Sequence, residues 1–571
     1  MARILPVLSV LLLTSAVVYA QEPTTGLAPP ALAQQSLEDL MTIKVDRVAG
    51  ASKREQLVTE APSSVTVITA QEIATYGWRT LADVLRSTRS FYVTYDRNYA
   101  YLGARGFGRP TDYNNRVLLL VNGHRLNDNV YDAVGIGTDA SVDLSLVERI
   151  EIIRGPGSAL YGTSAFFAVV DVITKSGDGL AGVEGSVESA SFNTWRSRAS
   201  FGTSDGAGRD LLVSVSHLSS RGVGALAFPE YGDGDSGPAL SRNADGDEGT
   251  SAFASARLGR LSLQSAFVTR TKHLPTGAWG TSLSDSRTLT TDRRAWVDAT
   301  WRHDWRGTAV TARGFLDHMQ YRGAYASEDG VTPDWAHGDW TGGELTLSRR
   351  VSGRHQVTAG TEFREHLRQL QSIESEDGVV DDSHRSRQIG VYLQDEVRLD
   401  DRWTAVIGAR ADYWSLDGWS AHPRGGVIYR PGGDTSLKVL YGSAYRAPNT
   451  FERFYRTGNF IANPEIRPET LRTGEFVAER YVGGRLRLTA SAYVTRIRGL
   501  ISQTGNGTIN WYDNGGTVRS QGVEFEAERR WVNGAVVQGS LTTQRTRDGV
   551  SGLGLSNSPS RLAVVRAETP L

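Results

Sequence analysis

From Gly182 onward, apolar and polar residues alternate along the chain in segments of about ten residues. In the segment 402–414 every second position is apolar, namely Trp403, Ala405, Ile407, Ala409, Ala411 and Tyr413. The positions between them include Arg410 and Asp412, and the segment 486–495 repeats the pattern. Because side chains alternate between the two faces of a strand, this period of two predicts β-strands with one apolar and one polar face.

The connections between these segments are short and long in turn. The short ones are typical tight turns, such as Gly259-Arg260, Val351-Ser352-Gly353, Asp400-Asp401 and Gly483-Gly484. The long ones are 222–248, 273–292, 326–339, 368–385, 449–470, 501–516 and 547–559. Alternation alone fits a soluble sandwich as well as a transmembrane barrel, but short turns at one end and long loops at the other favour the barrel. We count about 18 strands, with apolar residues facing outward.

The chain before residue 182 has a different pattern. Continuous apolar runs at 117–121, 150–153 and 169–174 predict strands buried on both faces. Thr69 and Glu72 have the spacing of a capping box, so a short helix is predicted to start there and to end at Gly77. A second helix is predicted after Thr80. We therefore assign residues 56–177 to a compact α+β domain.

The N-terminus carries the longest apolar run. Residues 4–18 follow Arg3 and lead to the small-residue site Val18-Tyr19-Ala20, which predicts a signal peptide over residues 1–20. Residues 21–55 are predicted to be a flexible arm, since their first part is rich in Pro, Ala, Gln and Thr. No later run of about twenty apolar residues occurs, so no spanning helix is expected in the mature chain.

Composition narrows the classes of function. The net charge of −1 lacks the basic footprint of a nucleic-acid-binding protein. With no cysteine, the chain has neither disulfides nor thiolate metal sites. A mean hydropathy of −0.31 would ordinarily indicate a soluble protein, but a barrel shows only half of its strand residues to lipid. The sequence contains neither a Gly-x-Ser-x-Gly elbow nor a His-Glu-x-x-His helix, which argues against an enzyme.

Four separated motifs of the α+β domain resemble the plug of TonB-dependent outer-membrane receptors. They lie at 61–69, 102–107, 116–123 and 146–175, in the order that the family has them. The resemblance implies a transmembrane antiparallel β-barrel, with about 18 strands present of an expected 22, that encloses the N-terminal α+β plug domain. It also implies a multi-pass outer-membrane location, a monomer surrounded by outer-membrane lipid, and energy from the TonB–ExbB–ExbD complex.

The same resemblance implies two kinds of functional residue. A candidate TonB box, which would add as a strand to TonB, lies at Thr42, Ile43, Lys44 and Val45. Lys44 departs from the commonest form of the box. The segment could equally be the first strand of the plug. The arginines of the plug's Arg-Gly segments, Arg105 and Arg154, are expected to form charge pairs with the barrel residues Glu475 and Glu524.

Candidate ligand contacts lie near the expected outer apices of the plug and in one loop box. They are Tyr95, Tyr99, Tyr101, Tyr113 and Arg446, and aromatic surface of this kind binds at little entropic cost. The box around Arg446 resembles the boxes that flank an extracellular loop in this family. Haem-using relatives place a histidine between those boxes, and residues 449–462 contain none, which argues against haem.

Metal ligands are sparse in the sequence. No resident cofactor is predicted. Asp233, Asp235, Asp245 and Asp247 are interpreted first as residues of solvated acidic loops. The alternative is that these carboxylates bind Ca²⁺ in the loops. The ten histidines are scattered, and no pair stands at a spacing suited to a metal.

The leading functional hypothesis is active, TonB-dependent import of a large and scarce nutrient, with a ferric siderophore as the first choice of metal-chelate ligand. Cobalamin and an oligosaccharide are the alternatives within the family. A passive porin or surface-binding protein is a different class, which is disfavoured because a porin has no use for a separate plug.

The end of the chain carries a further expectation. The barrel strands occupy 182–571, yet only about 18 are counted against the roughly 22 of plugged transporters, so the barrel is predicted to be C-terminally truncated. A gap is expected between the first strand, near 182–193, and the last, near 560–569.

Overall fold

The computed structural model describes residues 47–570, apart from residue 110 and the segments 233–236 and 376–377. The signal peptide and the candidate TonB box, with Thr42, Ile43, Lys44 and Val45, lie outside the described residues, as do Asp233 and Asp235.

The N-terminal part of the described chain is an α+β domain, the plug. Its strands are β1 (Arg47–Val48), β2 (Gln56–Leu57), β3 (Ser64–Thr69), β4 (Phe91–Tyr95), β5 (Ala100–Ala104), β6 (Val117–Val121), β7 (His124–Arg125), β8 (Val147–Arg154) and β9 (Ala168–Thr174). Its helices are α1 (Ala70–Tyr76), α2 (Leu81–Arg86), α3 (Ser158–Tyr161) and α4 (Gly177–Leu180). Strands β3, β8, β9, β6 and β7 form one sheet in that order, with β6 and β9 parallel.

Local sequence signals explain how the plug folds. The Thr69 side chain accepts a hydrogen bond from the backbone of Glu72 at 3.2 Å, and the Glu72 carboxylate accepts one from the backbone of Thr69 at 2.9 Å. Gly77 then ends α1 with a φ of 64°, a left-handed conformation that glycine adopts without steric cost. The predicted capping box is therefore confirmed. All five residues of β6 are buried, as their unbroken apolar run predicts.

From Gly182, antiparallel strands follow one another in chain order. They are β10 (Gly182–Ala190), β11 (Thr194–Ser204), β12 (Arg209–Ser220), β13 (Ala225–Phe228), β14 (Ala239–Arg242), β15 (Asp247–Leu258), β16 (Leu261–His273), β17 (Leu289–Trp305), β18 (Thr308–Ser327), β19 (Gly330–Val351), β20 (His355–Ser375), β21 (Gly378–Arg398), β22 (Trp403–Trp414), β23 (Gly418–Gly432), β24 (Thr435–Arg446), β25 (Glu469–Val482), β26 (Leu486–Arg498), β27 (Ile501–Gly505), β28 (Asn510–Asn514), β29 (Thr517–Arg530), β30 (Val536–Asp548) and β31 (Arg561–Glu568). The hairpins β13–β14 and β27–β28 stand apart in loops, and the other 18 strands form one sheet around the plug. Helix α5 (Thr450–Phe454) lies in the connection between β24 and β25.

The two faces of the large sheet have opposite polarity. On β22, Ile407 is 68% exposed on the outer face, whereas Arg410 and Asp412 are buried against the plug. On β26, Val494 is exposed and Thr489 is buried in the same way. A soluble sandwich would bury its apolar face, so the outward apolar face identifies a transmembrane barrel. Across the described residues, no helix combines the length and apolarity needed to cross a membrane.

The two edges of the sheet match the expected gap. Strands β10 and β31 each pair with a single neighbour, and no ladder joins them within the described residues. The plug lies against both edges, since Arg79 pairs with Glu188 of β10 at 2.9 Å and Arg566 of β31 approaches Glu72 at 3.8 Å.

Three sequence-based boundaries differ from the structure. Loops predicted at 326–339 and 368–385 are instead extensions of β18–β21. Beyond the membrane both strand faces meet water, so polar residues replace the alternation and the sequence has the composition of a loop. Residues 47–55, assigned to the flexible arm, are held in place: β1 pairs with β2, Lys53 binds Glu344, and Arg54 binds Glu396.

Candidate functional site

A buried cluster of charges joins the plug to the barrel at Arg105. This residue follows β5 with a φ of 50°, and the tight backbone turn directs its guanidinium at the wall. Its Nε donates to Glu524 at 3.1 Å, and both terminal nitrogens bind Glu475, one of them at 3.2 Å. The Tyr493 ring lies 4.4 Å from the guanidinium carbon. The structure thus brings Arg105 together with both glutamates that the sequence analysis selected.

Arg154 does not form the ion pair expected of it. Within the described residues its guanidinium donates instead to the Thr66 hydroxyl at 2.8 Å and to the Arg89 carbonyl at 3.2 Å. Burial lowers the pKa of Arg154 to about 9, and the neighbouring Arg89 adds to this effect. Arg89, which the sequence analysis missed, lies 3.4 Å from Glu524 in its place. Both arginines come from the plug interior, and only their packing decides which one reaches the wall.

A second buried charge cluster anchors the plug to the loop before β25. Arg116 donates to Glu469 at 2.9 Å. Arg446 holds the same carboxylate at 3.0 Å and also binds Glu452 of α5 at 2.7 Å. Arg446 is fully buried, so its assignment as a ligand contact is wrong. Its physical role is to tie α5, β25 and the plug together.

A cavity of about 860 Å³ lies between the plug and the barrel, at the end of the barrel that carries the long connections. Eight aromatic residues contribute to its lining: Tyr99, Tyr113 and Tyr131 from the plug, Tyr321 and Tyr325 from β18, Phe451 and Tyr455 around α5, and Trp279 from the β16–β17 loop. Its volume falls within the range of about 300–1,000 Å³ that is usual for small-molecule sites.

Hydrogen bonds and ring contacts fix several of these aromatic side chains. Tyr99 donates to Asp292 at 2.9 Å and packs edge-on against Tyr113 with ring centroids 5.7 Å apart. Tyr131 contacts Phe451 at 5.4 Å and Tyr321 at 6.2 Å. The walls of the cavity are therefore preorganised, which reduces the entropic cost of binding a ligand.

Two of the four predicted tyrosines fall outside the cavity lining. Tyr101 is buried and donates to Asp96 at 2.7 Å, while Tyr95 is 49% exposed at the end of β4. Tyr99 and Tyr113 do line the cavity. The sequence analysis missed Tyr131 of the plug. It also missed Tyr321, Tyr325 and Tyr455, because residues from β18 and the α5 region meet the plug only in the folded chain.

The cavity has no surplus of positive charge. It is lined by Asp128, Asp139, Asp292 and Asp334 and by Arg270, Arg293 and Arg294. Two of the arginines are neutralised by other carboxylates, since Arg270 binds Asp247 at 3.0 Å and Arg294 binds Asp317 at 2.9 Å. The lining then offers a polyanionic ligand one other arginine, Arg293, against four aspartates.

A second cavity, of about 710 Å³, lies toward the short-turn end of the same barrel wall. Inward positions along β17 show how the two are separated: Asp292 and Arg294 line the first cavity, Thr300 and Arg302 line the second, and Trp296 and Asp298 lie between them. On β17, two inward-facing residues therefore separate the cavities, and we call the layer at this level the partition.

His124 of the plug fills this partition. Its ring stacks on Trp296 at 4.3 Å, and its two nitrogens contact Asp298 at 3.3 Å and Asp317 at 3.2 Å. Burial alone would lower the pKa of His124, but the two aspartates outweigh burial and raise it above 6.5. The plug thus closes the path between the cavities with a buried histidine held by two carboxylates.

The acidic residues proposed for Ca²⁺ each face a cation where they are described. Asp245 accepts from Lys272 at 2.6 Å, and Asp247 binds Arg270 and the Thr138 hydroxyl. Both carboxylates are neutralised in this way, which opposes Ca²⁺ binding. The sequence shows no histidine pair at a spacing suited to a metal, but the fold of β18 and β19 brings His318 and His337 together with Asp339.

Comparison with known proteins agrees with this architecture. Residues 194–568 match the family model "TonB dependent receptor-like, beta-barrel", and residues 58–169 match the "TonB-dependent Receptor Plug Domain". The chain belongs to the TonB-dependent receptor family. The barrels of this family are outer-membrane proteins, and its members are receptors and transporters rather than enzymes.

Individual relatives are more distant. The vitamin B12 transporter BtuB of Vibrio vulnificus is 34% identical over 168 residues, which are 27% of this chain, and the chain thus spans 26% of the length of that relative. The ferric enterobactin receptor PfeA of Pseudomonas aeruginosa superposes with a TM-score of 0.72 at 17% identity, covering 92% of this chain and 85% of that one. The ferric yersiniabactin uptake receptor FyuA of Yersinia pestis gives a TM-score of 0.69 at 16% identity, covering 88% and 82%.

Proposed function

We propose that this protein imports a ferric siderophore across the outer membrane, driven by the TonB–ExbB–ExbD complex. The observation that carries the proposal is the aromatic cavity of about 860 Å³ above the plug, built from Tyr99, Tyr113, Tyr131 and Tyr321. Aromatic rings bind the flat faces of a large chelate, and fixed side chains do so at low entropic cost. The solved siderophore receptors PfeA and FyuA share this fold.

The charge of the cavity narrows the class of chelate. Because two of its three arginines are already paired with aspartates, a triply anionic tricatecholate would lose hydration and gain only Arg293 as a countercharge. A neutral or cationic chelate, such as a ferric trihydroxamate, avoids that cost. We therefore assign a trihydroxamate-type siderophore as the substrate class.

Cobalamin is the second candidate, because the Vibrio relative with 34% identity is a vitamin B12 transporter. Cobalamin is a considerably heavier molecule than a trihydroxamate chelate and would need the cavity to enlarge. Size and charge together rank it behind the hydroxamate.

Ligand binding tests the substrate class directly. A ferric trihydroxamate, a ferric tricatecholate and cyanocobalamin are titrated into the purified protein, and quenching of tryptophan fluorescence is measured. Trp279 in the cavity wall provides a local reporter. The trihydroxamate should bind tightest, and tighter binding of the tricatecholate would refute the charge argument.

Uptake by cells tests the transport step separately. Accumulation of radiolabelled iron should require both TonB and the proton motive force. The variant Ile43→Pro removes a backbone donor from the candidate TonB box, so uptake should stop while surface binding persists. Normal uptake by this variant would place the box elsewhere.

A further inference from the structure

His318, His337 and Asp339 form the one group of three potential metal ligands in the described part of the chain. We propose that this cluster binds a divalent transition-metal cation of the zinc class on the outer wall of the barrel. The site is separate from the aromatic cavity and from the charge clusters that hold the plug.

Strand register places the three side chains on one face. His318 lies directly opposite Asp339 in the β18–β19 ladder, and His337 lies opposite Gln320, two residues further along. The Asp339 carboxylate directs one oxygen at each ring: Oδ1 is 2.8 Å from His318 Nδ1, and Oδ2 is 3.5 Å from His337 Nε2. The two imidazoles meet at 87° with centroids 4.7 Å apart.

This geometry is close to that of a metal centre. One ligand atom from each residue can be chosen so that all three lie within 4.8 Å of one another. Zinc bonds of about 2.1 Å in a tetrahedral site put ligand atoms roughly 3.4 Å apart. Rotation of the two imidazole rings suffices to bring the ligand atoms from these separations to zinc-binding distances, because the strand backbone already sets the spacing of the three side chains. Two nitrogens and one carboxylate oxygen suit zinc, and a fourth position remains open.

The location makes the cluster accessible to a cation. Below it on the outer face of the same two strands are Leu316, Leu345 and Leu347, all exposed toward lipid. The next positions on the same face of β18 are Gln320 and Arg322, so the cluster lies where the apolar band of that strand ends. The side chains of His318, His337 and Asp339 are 42%, 23% and 35% exposed, so water and ions reach them.

A simple histidine–aspartate pair is the competing interpretation, and the protein contains a matched control for it. His355 lies 2.7 Å from Asp395, and its side chain is also 42% exposed. No second histidine accompanies that pair in the metal-ligand groups of the described residues. If zinc binding depends on His318 and His337 but not on His355, the zinc occupies the two-histidine cluster and not a simple histidine–aspartate pair.

The test uses the full chain, purified in detergent without a histidine tag. Zn²⁺ alone is titrated by calorimetry into wild type, H318A, H337A and H355A, and each variant's heat-modifiable migration in gels confirms that its barrel is folded. We expect one Zn²⁺ per wild-type molecule, affinity at least about ten-fold lower in H318A and in H337A, and unchanged affinity in H355A.

X-ray absorption at the zinc edge provides a second readout, in which wild type should show two imidazole ligands. The absence of stoichiometric binding by wild type overturns the proposal. Equal affinity of wild type and the H318A/H337A double variant also overturns it, since the ion would then occupy another site.

Discussion

Replacing Arg105 with alanine should loosen the plug, and the structure sets the magnitude. Arg105 is the only hydrogen-bond partner of Glu475 among the described residues, whereas Glu524 keeps Arg89 at 3.4 Å and the Ser491 hydroxyl at 2.7 Å. The variant therefore leaves one buried carboxylate without a partner. Removing one member of a buried pair costs about 3–5 kcal/mol, and we expect local stability of the plug to fall by that amount.

The control comes from the neighbouring arginine. Arg154 makes no direct ion pair in the described structure, and burial already disfavours its charge, so Arg154→Ala orphans no carboxylate. It removes hydrogen bonds to the neutral Thr66 hydroxyl and Arg89 carbonyl and leaves no charge unpaired. We thus expect Arg154→Ala to loosen the plug less than Arg105→Ala.

Hydrogen exchange across residues 100–108, together with limited proteolysis, measures this local stability. A rescue variant sharpens the test, because Arg105→Ala combined with Glu475→Gln has no unpaired charge and should recover a large part of the loss. The reasoning fails if the double variant is as labile as Arg105→Ala alone, since the orphaned carboxylate would then not be the cause.

Three further predictions concern the cavity, the loop and the partition. Tyr131→Ala should weaken siderophore binding by about 1 kcal/mol, roughly five-fold, whereas Tyr101→Phe should leave the dissociation constant unchanged, as fluorescence titration can measure. Arg446→Ala should increase protease cleavage in the 449–468 loop, because Glu452 loses its guanidinium partner while Glu469 keeps Arg116, and a selective loss of ligand affinity with an intact loop would contradict this. The pKa of His124 is raised in the folded protein, so its contacts stabilise the plug fully below pH 6.5 and lose strength as the pH rises through the raised value. His124→Gln should therefore abolish the pH dependence of plug protection in hydrogen exchange. If the pH dependence persists in this variant, another group causes it.

Sequence periodicity is sufficient to predict the barrel because each strand carries its own signal. On β22 the alternation from Trp403 to Tyr413 assigns every residue to the correct face without knowledge of its neighbours. The signal disappears where β18–β21 leave the membrane, because both faces then contact water. That is why the extensions that end at Ser327 and begin at Gly330 have the composition of loops.

The cavity is less predictable because its wall is assembled from distant segments. Tyr99 and Tyr113 are found from their place in the plug, but Tyr321 and Tyr455 reach the same space from 200 and more residues away. Nothing local in the sequence marks these two residues. The choice of Arg89 over Arg154 as the partner of Glu524 has the same origin, since packing alone decides which guanidinium faces the wall.

The distribution of contacts around the plug indicates where a passage can open. The charge clusters of Arg105 and Arg116 bind β25 and β29, on one side of the barrel. Both cavities lie against β16–β20, on another section of the wall, where the described residues His124, Trp296 and Asp317 lie between them. Shifting the β6–β7 turn that carries His124 would join the cavities while leaving both charge clusters intact. Such a local movement breaks far fewer buried ion pairs than extraction of the whole plug, which would have to break both clusters at about 3–5 kcal/mol for each orphaned partner.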